Sequence, residues 1–116
     1  MAAFEQRSWV GQVLKGKYVL EQLLGEGAMA QVYRAHNQLL GRTVAIKCLH
    51  PGLVGNREVV GRFLREARAA NSVRHRNIVD VIDIDTDERG VPFLVEEYLE
   101  GQDLGRQLDS AAWRLN

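Results

Sequence analysis

From Tyr18 onward, apolar and polar side chains alternate with the period of two that a half-buried strand requires. "YVLEQLLGEG" runs as one such strand into a glycine pair, Gly25 and Gly27. "AQVYRAHN" follows as a second, with Gln31, Tyr33 and Ala35 on one face and Val32, Arg34 and His36 on the other. Gly41 supplies the next turn, and "RTVAIKCL" is a third, β-branched strand. Strands joined this closely predict an antiparallel meander.

After the breakers Pro51, Gly52 and Gly55 the period changes. Val59, Val60, Phe63, Leu64, Ala67 and Ala70 recur at spacings of three and four, and Val73 closes the stripe. This is one face of an amphipathic helix beginning near Asn56 or Arg57, with Arg62, Arg65 and Arg68 mostly on the other face. Beyond Asn77 the alternation returns: Ile78 with Asp80, then Val81 with Asp83. A polar turn around Asp87 to Gly90 leads into "VPFLVEEYL", so a fourth and fifth strand are expected as a hairpin. "DLGRQLDSAAWRLN" then starts a short helix, and no internal repeat interrupts the pattern.

A chain of 116 residues has room for one modest core. Its 15 Lys and Arg balance 15 Asp and Glu, which argues against nucleic acid or an anionic membrane as partner. The single cysteine, Cys48, excludes an internal disulfide and fits a reducing compartment. The first twenty residues lack the apolar core of a signal peptide, and no apolar stretch is long enough to span a bilayer, so a soluble, cytoplasmic chain is expected.

Three features carry candidate chemistry. Gly25 and Gly27 lie between two antiparallel strands, unlike a dinucleotide fingerprint, which precedes a helix; the plain alternative is a hairpin turn. Lys47 shares a strand face with Ala45, so its ammonium must snorkel or be paired. Glu66 stands mid-helix at the edge of the apolar stripe, where it can reach Lys47; the plain alternative is a structural salt bridge.

Together these residues resemble the N-terminal lobe of a eukaryotic-like (Hanks-type) bacterial serine/threonine protein kinase, from about Tyr18 to Leu108. In order, "LGEGAMAQVYRA" looks like the glycine-rich loop and "VAIK" like the lysine strand. "RFLREARAA" looks like the helix with the paired glutamate, "VRHRNIV" like the connector, and "FLVEEYLEG" like the fifth strand and hinge. The resemblance implies an α+β lobe, a five-stranded antiparallel sheet with one major helix, over residues 18–100. Residues 1–17 are then a flexible lead-in and residues 101–116 a hinge exit with a helical tail. It also implies ATP as ligand. The backbone of Gly25, Glu26, Gly27, Ala28, Met29 and Ala30 would cover the triphosphate, and Lys47 would hold its phosphates while Glu66 orients the lysine. Leu24, Val32 and Ala45 would sandwich the adenine, and the backbone of Glu97 and Leu99 would bind its edge. Ala70 falls where the family stacks a hydrophobic spine residue.

The sequence departs from the family at several points. Ala30 replaces the third glycine of the loop. Glu96 occupies the gatekeeper position behind the adenine, where a carboxylate must be protonated, be hydrated, or compete with Glu66 for Lys47. The aspartates that position the substrate hydroxyl and hold Mg2+ belong to a second lobe, which the chain does not reach. "HRN" at His75 to Asn77 lacks the carboxylate, with Ile82 where an asparagine is expected, and "DLG" at Asp103 to Gly105 comes too soon after the hinge. "DIDTDERG" fails as a calcium loop, with Glu88 at the glycine place and Leu94 at the bidentate place. His36, His50 and His75 show no metal spacing. The expectation is a chain that binds ATP at most and transfers no phosphate alone; the alternative is a non-enzymatic docking or regulatory module. In either case the face normally covered by the second lobe, with Ala70, Val73, Leu99 and Leu104, is expected to self-associate or take a protein partner, partly covered by Trp113.

Overall fold

The computed structural model describes residues 9–72 and 81–98. Six strands form one antiparallel sheet: β1 (Val13–Leu14), β2 (Tyr18–Glu26), β3 (Ala30–Asn37), β4 (Arg42–Leu49), β5 (Val81–Thr86) and β6 (Pro92–Glu97). Their spatial order is β1-β2-β3-β4-β6-β5. A 3-10 turn, Pro51–Leu53, leads from β4 to the helix α1 (Arg57–Ser72). Among the described residues no helix is long and apolar enough to cross a membrane.

The α+β, one-helix sheet agrees with the sequence reading, but it has six strands where five were expected. The additional strand is β1, inside the stretch set aside as a lead-in. Two residues are too few to show a period; pairing of Val13 with Val19 and Leu14 with Tyr18 holds them through the backbone. Upstream, the Trp9 N–H donates to the Tyr33 hydroxyl at 2.8 Å, and the Arg89 guanidinium stacks 3.7 Å from the centre of the Trp9 ring. Val73, His75 to Asn77, Leu99, Asp103 to Gly105, Trp113 and the side chain of Ala70 lie outside the described residues.

Alternation along the strands produces two cores. On one face Tyr18, Leu20, Tyr33, Val44, Ile46, Cys48, Phe93 and Val95 pack together, with Leu14 from β1 and partly buried Trp9 over them. On the other, Met29, Leu49 and Leu94 meet Phe63 and Ala67 of α1. The helix starts where the sequence put it, because Asn56 Oδ1 accepts from the N–H groups of Glu58 and Val59, both at 3.1 Å.

Asp87 fixes the β5–β6 turn. Its carboxylate accepts from the N–H groups of Arg89 at 2.8 Å and Val91 at 3.0 Å, and pairs with the Arg89 guanidinium. Burial alone would raise this carboxyl; hydrogen bonds from the Arg89 side chain and from the Val91 and Arg89 backbone outweigh it and hold the group below its ordinary value. A depressed folded pKa gives stability that is complete above the unfolded carboxylate value, about 4, and is lost as pH falls through the folded one. The urea-midpoint gap between wild type and Asp87→Ala is therefore expected to be widest near neutral pH and to shrink below about pH 4. A gap independent of pH would rule out this linkage.

Candidate nucleotide site

The ladder register sets the site. Val32 pairs with Lys47, Lys47 with Leu94, and Ala45 with Glu96, so all five side chains share one sheet face. All are buried: Lys47 is 0% exposed and Glu96 3%, which obliges both charges to find partners. Two residues before Val32 the β2–β3 hairpin closes, with Gly27 N–H donating to Ala30 O at 2.8 Å. A bulge between Leu23 and Gly25 leaves half-buried Leu24 out of the ladder, just ahead of that turn.

Gly25 and Gly27 are not among the glycines at positive φ, which are Gly11, Gly16, Gly41 and Gly90. Positive φ therefore does not require glycine at Gly25 or Gly27. Glu26 and Ala28 are exposed on this hairpin. Met29 is not: the residue is fully buried, its side chain packed with Phe63, Ala67 and Leu94. Ala30 is likewise fully buried, in space where the family's glycine has no side chain.

Lys47 Nζ lies 3.5 Å from Glu96 Oε2, and this is the ion pair the buried lysine makes with a carboxylate of the sheet. Glu66, the partner expected from the sequence, instead has a buried Oε1 without a hydrogen bond. Burial pushes the Lys47 ammonium below its ordinary value; Glu96 opposes this by charge and hydrogen bonding, and the Glu66 charge adds to it. Of the three fates open to Glu96, competition for Lys47 is the one the geometry displays. Glu97 pairs with Val44 at the end of β6, half-buried.

His50 is a contact that the sequence reading missed. It was weighed only as a metal ligand, yet Ala30 pairs with Leu49, so one further ladder step sets His50 against Met29. The His50 N–H donates to Met29 O at 2.9 Å, and His50 Nε2 lies 2.9 Å from Gly27 O and 3.7 Å from Glu26 Oε2. Among the described residues no group of three or more His, Cys, Asp or Glu could hold a metal.

Residues 18–113 match the protein kinase domain. The serine/threonine-protein kinase pkn3 of Myxococcus xanthus is 41% identical over 108 residues, covering 93% of this chain and 20% of the relative. PksC, a serine/threonine-protein kinase of Streptomyces coelicolor, is 44% identical over 108 residues, covering 90% of this chain and 19% of the relative. The chain thus spans about a fifth of the length of these curated relatives. Among solved structures, the PknI kinase domain of Mycobacterium tuberculosis superposes with a TM-score of 0.62 at 28% identity, over 81% of this chain and 37% of that one. With residues 18–113 of the chain matched by the family's domain and a sheet that superposes on a solved kinase, the chain belongs to the Hanks-type protein kinase family of bacterial serine/threonine kinases.

Proposed function

We propose that the chain is the ATP-binding lobe of a serine/threonine protein kinase, whose family reaction moves the γ-phosphate of ATP to Ser or Thr of proteins. The observation that carries this reading is Lys47, fully buried on the sheet face beside the glycine hairpin and flanked by two carboxylates. A buried ammonium in an apolar strand is costly unless anions need it there. Val32, Ala45 and Leu24 offer the apolar walls for a purine and the hairpin backbone covers the phosphates; by the family resemblance, the backbone of Glu97 and of Leu99, which lies outside the described residues, would bind the purine edge. In the family the helix glutamate orients the lysine; here Glu96 holds Lys47, and Glu66 takes that part when Glu96 is replaced. ATP, when bound, supplies the transferable phosphoryl group; in the family the carboxylates that position the acceptor and bind Mg2+ belong to a second lobe.

Calorimetric titration with ATP tests the reading. Wild type is expected to bind and Lys47→Met to lose binding, with no label passing from γ-labelled ATP to a basic protein. Absence of ATP binding by wild type overturns the assignment, and label transfer abolished by Lys47→Met overturns the inactivity of the isolated chain.

The Lys47–Glu96 pair favours a second reading, a non-enzymatic half-kinase that docks on a protein partner or a second copy. A lysine already neutralised by a sheet carboxylate needs no phosphate. In that case the titration is silent while light scattering finds a complex through the face that a second lobe covers in the family.

A further inference from the structure

We propose that His50 is a positioning residue for the glycine-rich hairpin, holding one peptide so that a backbone N–H is turned out for a phosphate oxygen. The inference rests on the ATP-binding reading above and deepens it. Gly27 O is an acceptor only, so His50 Nε2, at 2.9 Å, carries the hydrogen and donates it. The Gly27–Ala28 peptide is trans, and in a trans peptide the carbonyl and the following N–H point to opposite sides. With the carbonyl turned to His50, the Ala28 N–H is turned away from it.

Among the described residues the Ala28 N–H, on an exposed residue, makes no hydrogen bond, whereas the flanking Gly27 N–H is used by the hairpin. An unbonded backbone donor at an exposed turn is open to an anion. Three contacts from one residue fix it: the His50 side chain on Gly27, its backbone N–H on Met29 O, and its ring 3.7 Å from the Glu26 carboxylate. Glu26 is the anion on the hairpin itself. The ring lies beside this carboxylate without hydrogen-bonding it, because its Nε2–H is given to Gly27 O.

The backbone half of this clamp does not depend on the side chain in the two substitutions below, so the side-chain half can be read separately. His50→Gln keeps an N–H that can reach Gly27 O; His50→Ala does not. Each variant and wild type are titrated with ATP and, in parallel, with adenosine, which has the same base and sugar but no phosphate. Expected are an about tenfold loss of ATP affinity in His50→Ala, adenosine affinity within about twofold of wild type, and His50→Gln within about threefold for both. Equal losses for ATP and adenosine, unchanged ATP binding in His50→Ala, or His50→Gln as weak as His50→Ala all overturn the positioning role. Loss of cooperative unfolding in both variants does so too, by assigning His50 to the fold. Wild type that binds neither ligand overturns the ATP reading itself and takes this inference with it. Wild type that binds ATP while His50→Ala behaves identically removes only the clamp.

Discussion

Replacing Glu96 by methionine is expected to tighten ATP binding by about tenfold or more, and to turn Glu66 from a silent residue into a required one. Lys47 Nζ stands 3.5 Å from Glu96 Oε2, while Glu66 Oε1 is buried with no hydrogen bond. A phosphate that takes Lys47 must displace Glu96 and leave that carboxylate buried beside its own negative charge, a cost of a few kcal/mol where about 1.4 is already tenfold. Methionine removes the anion at similar volume, and Lys47 can turn to the unsatisfied Glu66. Deleting one member of a buried ion pair usually destabilises by about 3–5 kcal/mol because the other charge is stranded. Here a replacement waits, so Glu96→Met is expected to lose less than about 1 kcal/mol in urea unfolding. The decisive measurement is a double-mutant cycle by calorimetry. Glu66→Gln should change ATP affinity less than about twofold in wild type and about tenfold in Glu96→Met. Effects that add across the two backgrounds would falsify the competition.

Phe63→Ala is expected to remove about 3–5 kcal/mol of stability, a large share of the 5–15 typical of a domain this size. Phe63 is fully buried, and α1 reaches the sheet chiefly through it and Ala67, against Met29, Leu49 and Leu94. Because Met29 belongs to the glycine hairpin, the cavity also loosens the loop. ATP affinity of the fraction still folded should therefore fall, although Phe63 lies in the helix and not on the hairpin or the strands that carry the site. Arg62→Ala, one position earlier and exposed, should stay within about 0.5 kcal/mol of wild type. Equal midpoints for the two variants in urea would show that the helix is not held by this contact.

What was legible in the sequence was whatever local period encodes. The meander, the helix start at Asn56 and the shared face of Ala45 and Lys47 all follow from spacing, since side-chain direction on a strand or helix is fixed by the backbone. Strand β1 escaped because two residues hold no period. The choice between Glu66 and Glu96 escaped for a different reason: both carboxylates were visible, but which one meets Lys47 depends on the reach of three side chains in a packed space. Met29 sat in a segment read as a loop, where its apolar side chain between two alanines was the available sign of burial. His50 was hidden by the question asked of it, because metal spacing says nothing about a ring that bonds a backbone carbonyl across a ladder.

Cys48 sits in the core under β1 and Trp9, 7% exposed, and its thiol is pushed up to about 12 by burial first and by the nearby charge of Asp87 second, against Arg89. Thiolate, the reactive form, is thus nearly absent while the outer face is closed, and the chain has one cysteine to react. Alkylation must wait for the sheet to open, so its rate counts openings of that face without any added label or dye. The molecule carries its own clock for breathing of the N-terminal strap, on the side of the sheet opposite the lysine.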